Sequence, residues 1–162
     1  FIWNFPASKN FIDSRNLNDS IWNDFITIFN KKEGYLNLIQ QDSIDYFMIT
    51  RPTLTFGPEE LKTTIISYLS QNTEEWKLIY WDDISQLFVK NNDTFKDLIG
   101  KYEFKYLTPY NIIFKLDAIN SGINQNPEKV QNEINRKKAE GSGTLFMNQF
   151  YKVFSQRMKH VQ

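Results

Sequence analysis

The stretch Trp76-Lys77-Leu78-Ile79-Tyr80-Trp81-Asp82-Asp83-Ile84-Ser85-Gln86-Leu87-Phe88-Val89-Lys90 constrains this chain most, because it sets an apolar run on each side of paired aspartates. Each run has the length of a strand and is rich in aromatic and β-branched side chains, which suit a pleated, half-buried surface. Asp82-Asp83-Ile84 leaves room only for a tight turn, and Asp tolerates the positive φ that short hairpin turns demand. The segment reads as a β-hairpin.

Upstream, the elements alternate in type. Asn10-Phe11-Ile12 reads as a short buried strand running into Asp13-Ser14-Arg15. Asn18-Asp19-Ser20 offers N-cap oxygens, and Ile21, Trp22, Phe25, Ile28 and Phe29 follow at helical spacing. Gly34 breaks that pattern, and Tyr35, Leu36, Leu38 and Ile39 form a second short helix. Tyr46-Phe47-Met48-Ile49 is a continuous apolar run ending at Thr50-Arg51-Pro52, as expected of a strand covered on both faces. Pro58, Glu59 and Glu60 open a third helix, where the carboxylates complement the positive end of the helix dipole. Its buried stripe is Leu61, Ile65, Tyr68 and Leu69.

Strands at 10–13, 45–50 and 76–81, separated by helices, predict parallel neighbours joined by crossovers, with 84–90 antiparallel at the edge. The expected class is α/β: a small Rossmann-like, mainly parallel sheet with an antiparallel edge hairpin over residues 1–92, followed by a helical extension over 93–162. Thr94–Tyr102 reads as a short helix with Phe95, Leu98 and Ile99 inward. Tyr106-Leu107-Thr108-Pro109 breaks the chain, since the residue before proline is pushed out of the helical region. Ile112–Ile119 follows as a helix ended by Asn120-Ser121-Gly122. Pro127–Glu140 is a polar helix with only Val130 and Ile134 as apolar anchors, too few to hold it alone in water. Gly141-Ser142-Gly143 is a hinge before a last amphipathic helix lined by Leu145, Phe146, Phe150, Val153, Phe154 and Met158. The pair of helices around that hinge could begin a helical repeat array.

Charge is balanced, with 19 basic and 19 acidic residues, so no basic excess is available to collect phosphates; nucleic acid is not expected as a partner. The chain has no cysteine, which excludes thiolate chemistry and disulfide staples. Abundant aromatic residues (14 Phe, 8 Tyr, 4 Trp) supply the burial that disordered chains lack. No apolar run reaches the length of a membrane span. The chain opens at Phe1 without a signal-peptide pattern and reads as a piece of something longer.

Few residues carry chemistry. His160 is the only histidine and sits two residues from the end, a poor base for a triad or a zinc site. The glycines never form a phosphate-binding pattern, so no nucleotide cofactor is expected. Asp82-Asp83 after an apolar strand resembles the paired carboxylates that start a divalent-metal and sugar-nucleotide site, because hard cations want several oxygen ligands. The competing reading is a solvated hairpin turn, and no metal site is assigned. Asp13, Arg15, Thr50, Arg51, Asp82 and Asp83 all fall just past the carboxyl ends of expected parallel strands, the edge where open α/β sheets bind ligands. They define a candidate mixed-charge crevice without an assigned catalytic residue. Asn18-Asp19-Ser20 and Asn92-Asp93-Thr94 match the N-glycosylation pattern, as an Asn-rich chain does by chance.

Together, Phe11-Ile12-Asp13-Ser14-Arg15, the helix with Trp22 and Phe25, Ile44-Asp45-Tyr46-Phe47-Met48-Ile49 and Trp76–Asp83 resemble a family pattern. It is similar to the soluble C-terminal region of bacterial multi-pass membrane proteins related to lipid-linked-sugar glycosyltransferases, the dolichyl-phosphate-mannose mannosyltransferase-like group, some with tetratricopeptide repeats. Ser14 stands where that pattern has glycine. The resemblance spans about residues 1–90. It implies an extracytoplasmic (periplasmic) domain on the bacterial inner membrane, anchored through a parent membrane region upstream of Phe1, with catalysis in that membrane part. The resemblance does not itself assign the soluble domain a role; the first reading is non-catalytic recognition or scaffolding, with the apolar stripe of the C-terminal helices as the surface for a protein partner. Competing readings are a stand-alone metal-dependent sugar-nucleotide glycosyltransferase using Asp82 and Asp83, and a helical-repeat-linked protein-interaction module.

Overall fold

The computed structural model describes residues 19–50 and 58–140. Within them the order is α1 (Asp19–Phe29), α2 (Tyr35–Gln41), β1 (Tyr46–Thr50), α3 (Pro58–Thr63), α4 (Ile65–Gln71), β2 (Trp76–Trp81) and β3 (Ser85–Lys90). Then come α5 (Lys96–Tyr102), α6 (Pro109–Phe114), α7 (Leu116–Gln125) and α8 (Pro127–Ala139). The expected strand at 10–13 and the final amphipathic helix lie outside the described residues.

The sheet overturns the parallel expectation. Its order is β1-β3-β2, and β3 pairs antiparallel with both neighbours. Among the described residues no parallel pair occurs, so the sheet is not Rossmann-like. The physical reason lies in the hairpin. β1 and β2 both run against β3 and therefore point the same way, as their helical crossover requires, but they stand one strand apart. The tight turn folds β3 back into that gap instead of onto an outer edge. Leu87 then faces Met48 on one side and Tyr80 on the other. Leu87-Phe88-Val89 is a near-continuous apolar run, which suits a central strand better than an edge. A register shift between Leu78 and Tyr80 bends β2 where it meets the helical half.

One sheet face carries Phe47, Ile49, Leu78, Trp81, Gln86 and Phe88, packed against the helices. Trp76 and Phe47 meet edge to face at 5.1 Å, and Trp81 meets Phe104 at 6.1 Å. Burying each such ring removes enough apolar surface to contribute about 2–3 kcal/mol. The opposite face is more open: Met48 is 54% exposed and Tyr80 40%.

Local chemistry explains the helix boundaries. Gly34 adopts φ 83° ahead of α2, a left-handed turn that a side chain would strain. The expected third helix divides at Thr64, whose extended backbone (φ −91°, ψ 165°) separates α3 from α4 while its hydroxyl donates to Leu61 O at 3.0 Å. Leu61, Ile65 and Leu69 are buried as the stripe requires. Lys31 Nζ donates to Lys62 O and Ser67 Oγ, both at 2.7 Å, fastening the α1–α2 turn to this pair. In α5, Leu98 faces outward and not into the core. The Ile112–Ile119 expectation becomes two helices, divided at Lys115. Thr108 Oγ1 caps α6 by accepting the Asn111 N–H at 3.0 Å, with Pro109 in the first turn. Gly122 does not end a helix; it lies inside α7, against the Tyr106 ring.

Candidate functional site

The expected crevice can be placed only in part. Asp13, Arg15 and Arg51 lie outside the described residues. Thr50 is exposed at the carboxyl end of β1, opposite Ser85, so it shares a sheet edge with the Asp82–Asp83 turn.

At that turn both Asp82 carboxylate oxygens accept hydrogen bonds from its own hairpin. Its Oδ1 accepts the N–H groups of Ile84 (2.8 Å) and Ser85 (2.6 Å), and its Oδ2 accepts the Tyr80 hydroxyl at 2.8 Å. The Asp82 N–H donates to Ser85 O at 2.8 Å, closing the turn. Partial burial pushes the Asp82 carboxyl up. The Tyr80 hydroxyl, the Ile84 and Ser85 N–H groups and the Lys137 charge outweigh it and hold the group below the usual carboxylate range. Tyr80 responds in the opposite sense: its hydrogen bond to Asp82, partial burial and the nearby negative charges push it up to about 12. Asp83 Oδ1 is shielded from solvent without a hydrogen-bond partner among the described residues. No group of three or more His, Asp or Glu among the described residues could hold a metal ion.

Residues that the sequence pattern passed over complete the site. Lys137 on α8 is fully buried, and its Nζ donates to Trp81 O at the end of β2 and to Glu140 Oε2 at 2.7 Å. The ammonium lies 4.6 Å from the Trp81 ring centroid, 5.1 Å from Tyr80 and 5.6 Å from Phe104, an aromatic lining that offsets part of its desolvation. One turn earlier, buried Glu133 accepts the N–H groups of Lys105 (2.9 Å), Tyr106 (3.1 Å) and Leu107 (2.7 Å). Burial pushes the Glu133 carboxyl up, against the pull of those N–H groups and of Arg136. Arg136 lies 3.9 Å over the Phe104 ring and donates to Lys101 O at 3.0 Å and Glu103 O at 2.9 Å, satisfying carbonyls at the end of α5. The Phe104 N–H donates to Leu78 O at 2.7 Å, which covers the outer edge of β2.

These side chains were legible in one respect. Val130, Glu133, Ile134 and Lys137 recur at i, i+3, i+4 and i+7, the spacing of one buried helix face, but the face alternates apolar with charged residues. Chemically, the arrangement is a set of ions landed on main-chain groups, with the hairpin aspartate turned into its own loop. No helix of the described residues is long and apolar enough to cross a membrane. No family model, curated protein or solved structure matches this chain.

Proposed function

We propose that this chain is a non-catalytic, extracytoplasmic domain of a membrane glycosyltransferase-like protein, with a recognition or scaffolding role. The observation that carries the reading is the state of the motif residues. Trp76, Leu78 and Trp81 are core side chains, and both Asp82 oxygens are taken up by the Tyr80 hydroxyl and the turn N–H groups. Oδ1 is occupied by the two turn N–H groups, and a cation approaching Oδ2 would have to compete with the Tyr80 hydroxyl. The Trp76–Asp83 motif, one of those on which the family resemblance rests, therefore serves the hairpin and the core, which supports a part whose parent does its chemistry elsewhere.

Calorimetric titration of the chain with Mn²⁺ and sugar nucleotides tests this directly. The expected result is no saturable heat. Saturable binding that disappears in the Asp82→Asn/Asp83→Asn variant, with folding retained, would instead assign the chain a metal-dependent transferase site.

A further inference from the structure

We infer that α8 is a charge-latched strap that lifts from the domain as a unit while the sheet stays folded. Three charged side chains of one helix face or its flank, Glu133, Arg136 and Lys137, all end on main-chain groups of other elements. Glu133 holds the N–H groups of residues 105–107, Arg136 the carbonyls of Lys101 and Glu103, and Lys137 the carbonyl of Trp81. Only Val130 and Ile134 anchor the same face through apolar contact.

Such a face is cheap to release compared with an apolar one. Taking ions out of water carries a large desolvation cost, and undocking returns it. The polar groups the latches leave behind are backbone N–H and C=O groups that water can satisfy, so the cost of lifting lies in exposing Val130, Ile134, Trp81 and Phe104. Strand pairing uses no α8 residue: β3 pairs with both neighbours, and Phe47 packs on Trp76 at the end of the sheet away from Lys137. The joint is also present. Asn126 alone separates α7 from α8, with a non-helical backbone (φ −143°, ψ 58°), and Pro127 follows in the first turn. Lifting would uncover Trp81, Phe104 and the carboxyl end of β2.

Native-state amide hydrogen exchange on the full chain tests this. In the unaltered protein the α8 amides and those of Lys105, Tyr106 and Leu107 should exchange together, at least about tenfold faster than those of Phe88 and Val89 in β3. Glu133→Gln keeps the shape of the side chain and removes the charge. It should speed the α8 and 105–107 amides by about tenfold, the cost of weakened buried hydrogen bonds, and leave β3 unchanged. Lys137→Met removes the donor that meets the buried Trp81 carbonyl in the docked state, and this loss should outweigh the desolvation saved and speed α8 in the same selective way. A single exchange rate shared by α8 and β3 in the unaltered protein overturns the inference, even if neither variant folds. So does a Glu133→Gln variant in which every amide speeds equally.

Discussion

Asp82 and Gly122 show how single residues decide local structure here. Asp82 has a folded-state value below its unfolded 3.8, so its stabilisation is fully present above that value and is lost as pH falls through the lower folded one. The Asp82→Asn variant should therefore lose less stability than the unaltered chain when acidified below about pH 4, as read by urea denaturation at stepped pH. Tyr80 gives the mirror case: its value rises from 10.0 to about 12, so its stabilisation holds below 10.0 and drains away as pH climbs through about 12. Tyr80→Phe should flatten that alkaline limb. At Gly122, an added Cβ would sit 2.4 Å from Tyr106 Cδ1 and 2.9 Å from its Cγ. The ring cannot swing away freely, because its hydroxyl accepts from Asn126 Nδ2 at 3.0 Å. Gly122→Ala gains about 1 kcal/mol of helix propensity, yet overpacking costs about 1–3 kcal/mol. We expect a net loss of stability by denaturant unfolding, relieved when Tyr106 is also shortened to Leu.

Among the elements, β3 bears the most. It supplies hydrogen bonds to both neighbours and places Phe88, 2% exposed, in the core. Phe88→Ala should cost about 3–5 kcal/mol, whereas Met48→Ala on the open face of β1 should change stability by about 0.5 kcal/mol or less, both measured by urea unfolding. The positions of strands 46–50, 76–81 and 85–90 were legible from apolar runs and turn chemistry. Their order was not, because hydrophobic patterning marks where a strand lies and says little about its neighbour. The apolar Leu87-Phe88-Val89 run did carry a hint of a central strand. In α8 the failure was different: counting only apolar anchors hid a buried face whose other half is charged. Glu133 and Lys137 are buried because backbone groups of residues 81 and 105–107 are there to meet them, and no local window of sequence contains both partners.

At the scale of the molecule, one core runs from Ile28 and Ile39 through Trp76 and Phe88 to Ile119, Val130 and Ile134. Sheet and helices thus share burial, and the charged latches of α8 close over its far end. The candidate crevice was legible only as polarity at strand ends; that Asp82 folds back on its own turn depends on the register of the hairpin. All these assignments rest on β3 lying between β1 and β2. A chain without cysteine makes that order directly measurable. Directly opposed residues have Cα atoms about 4.5–5.5 Å apart, within disulfide reach, while residues two strands apart are separated by about 9–10 Å, beyond it. Under mild oxidation the Met48→Cys/Leu87→Cys variant should cross-link in the folded protein, and Met48→Cys/Tyr80→Cys should not. Efficient cross-linking of positions 48 and 80, with none between 48 and 87, would put β1 beside β2 and contradict the account.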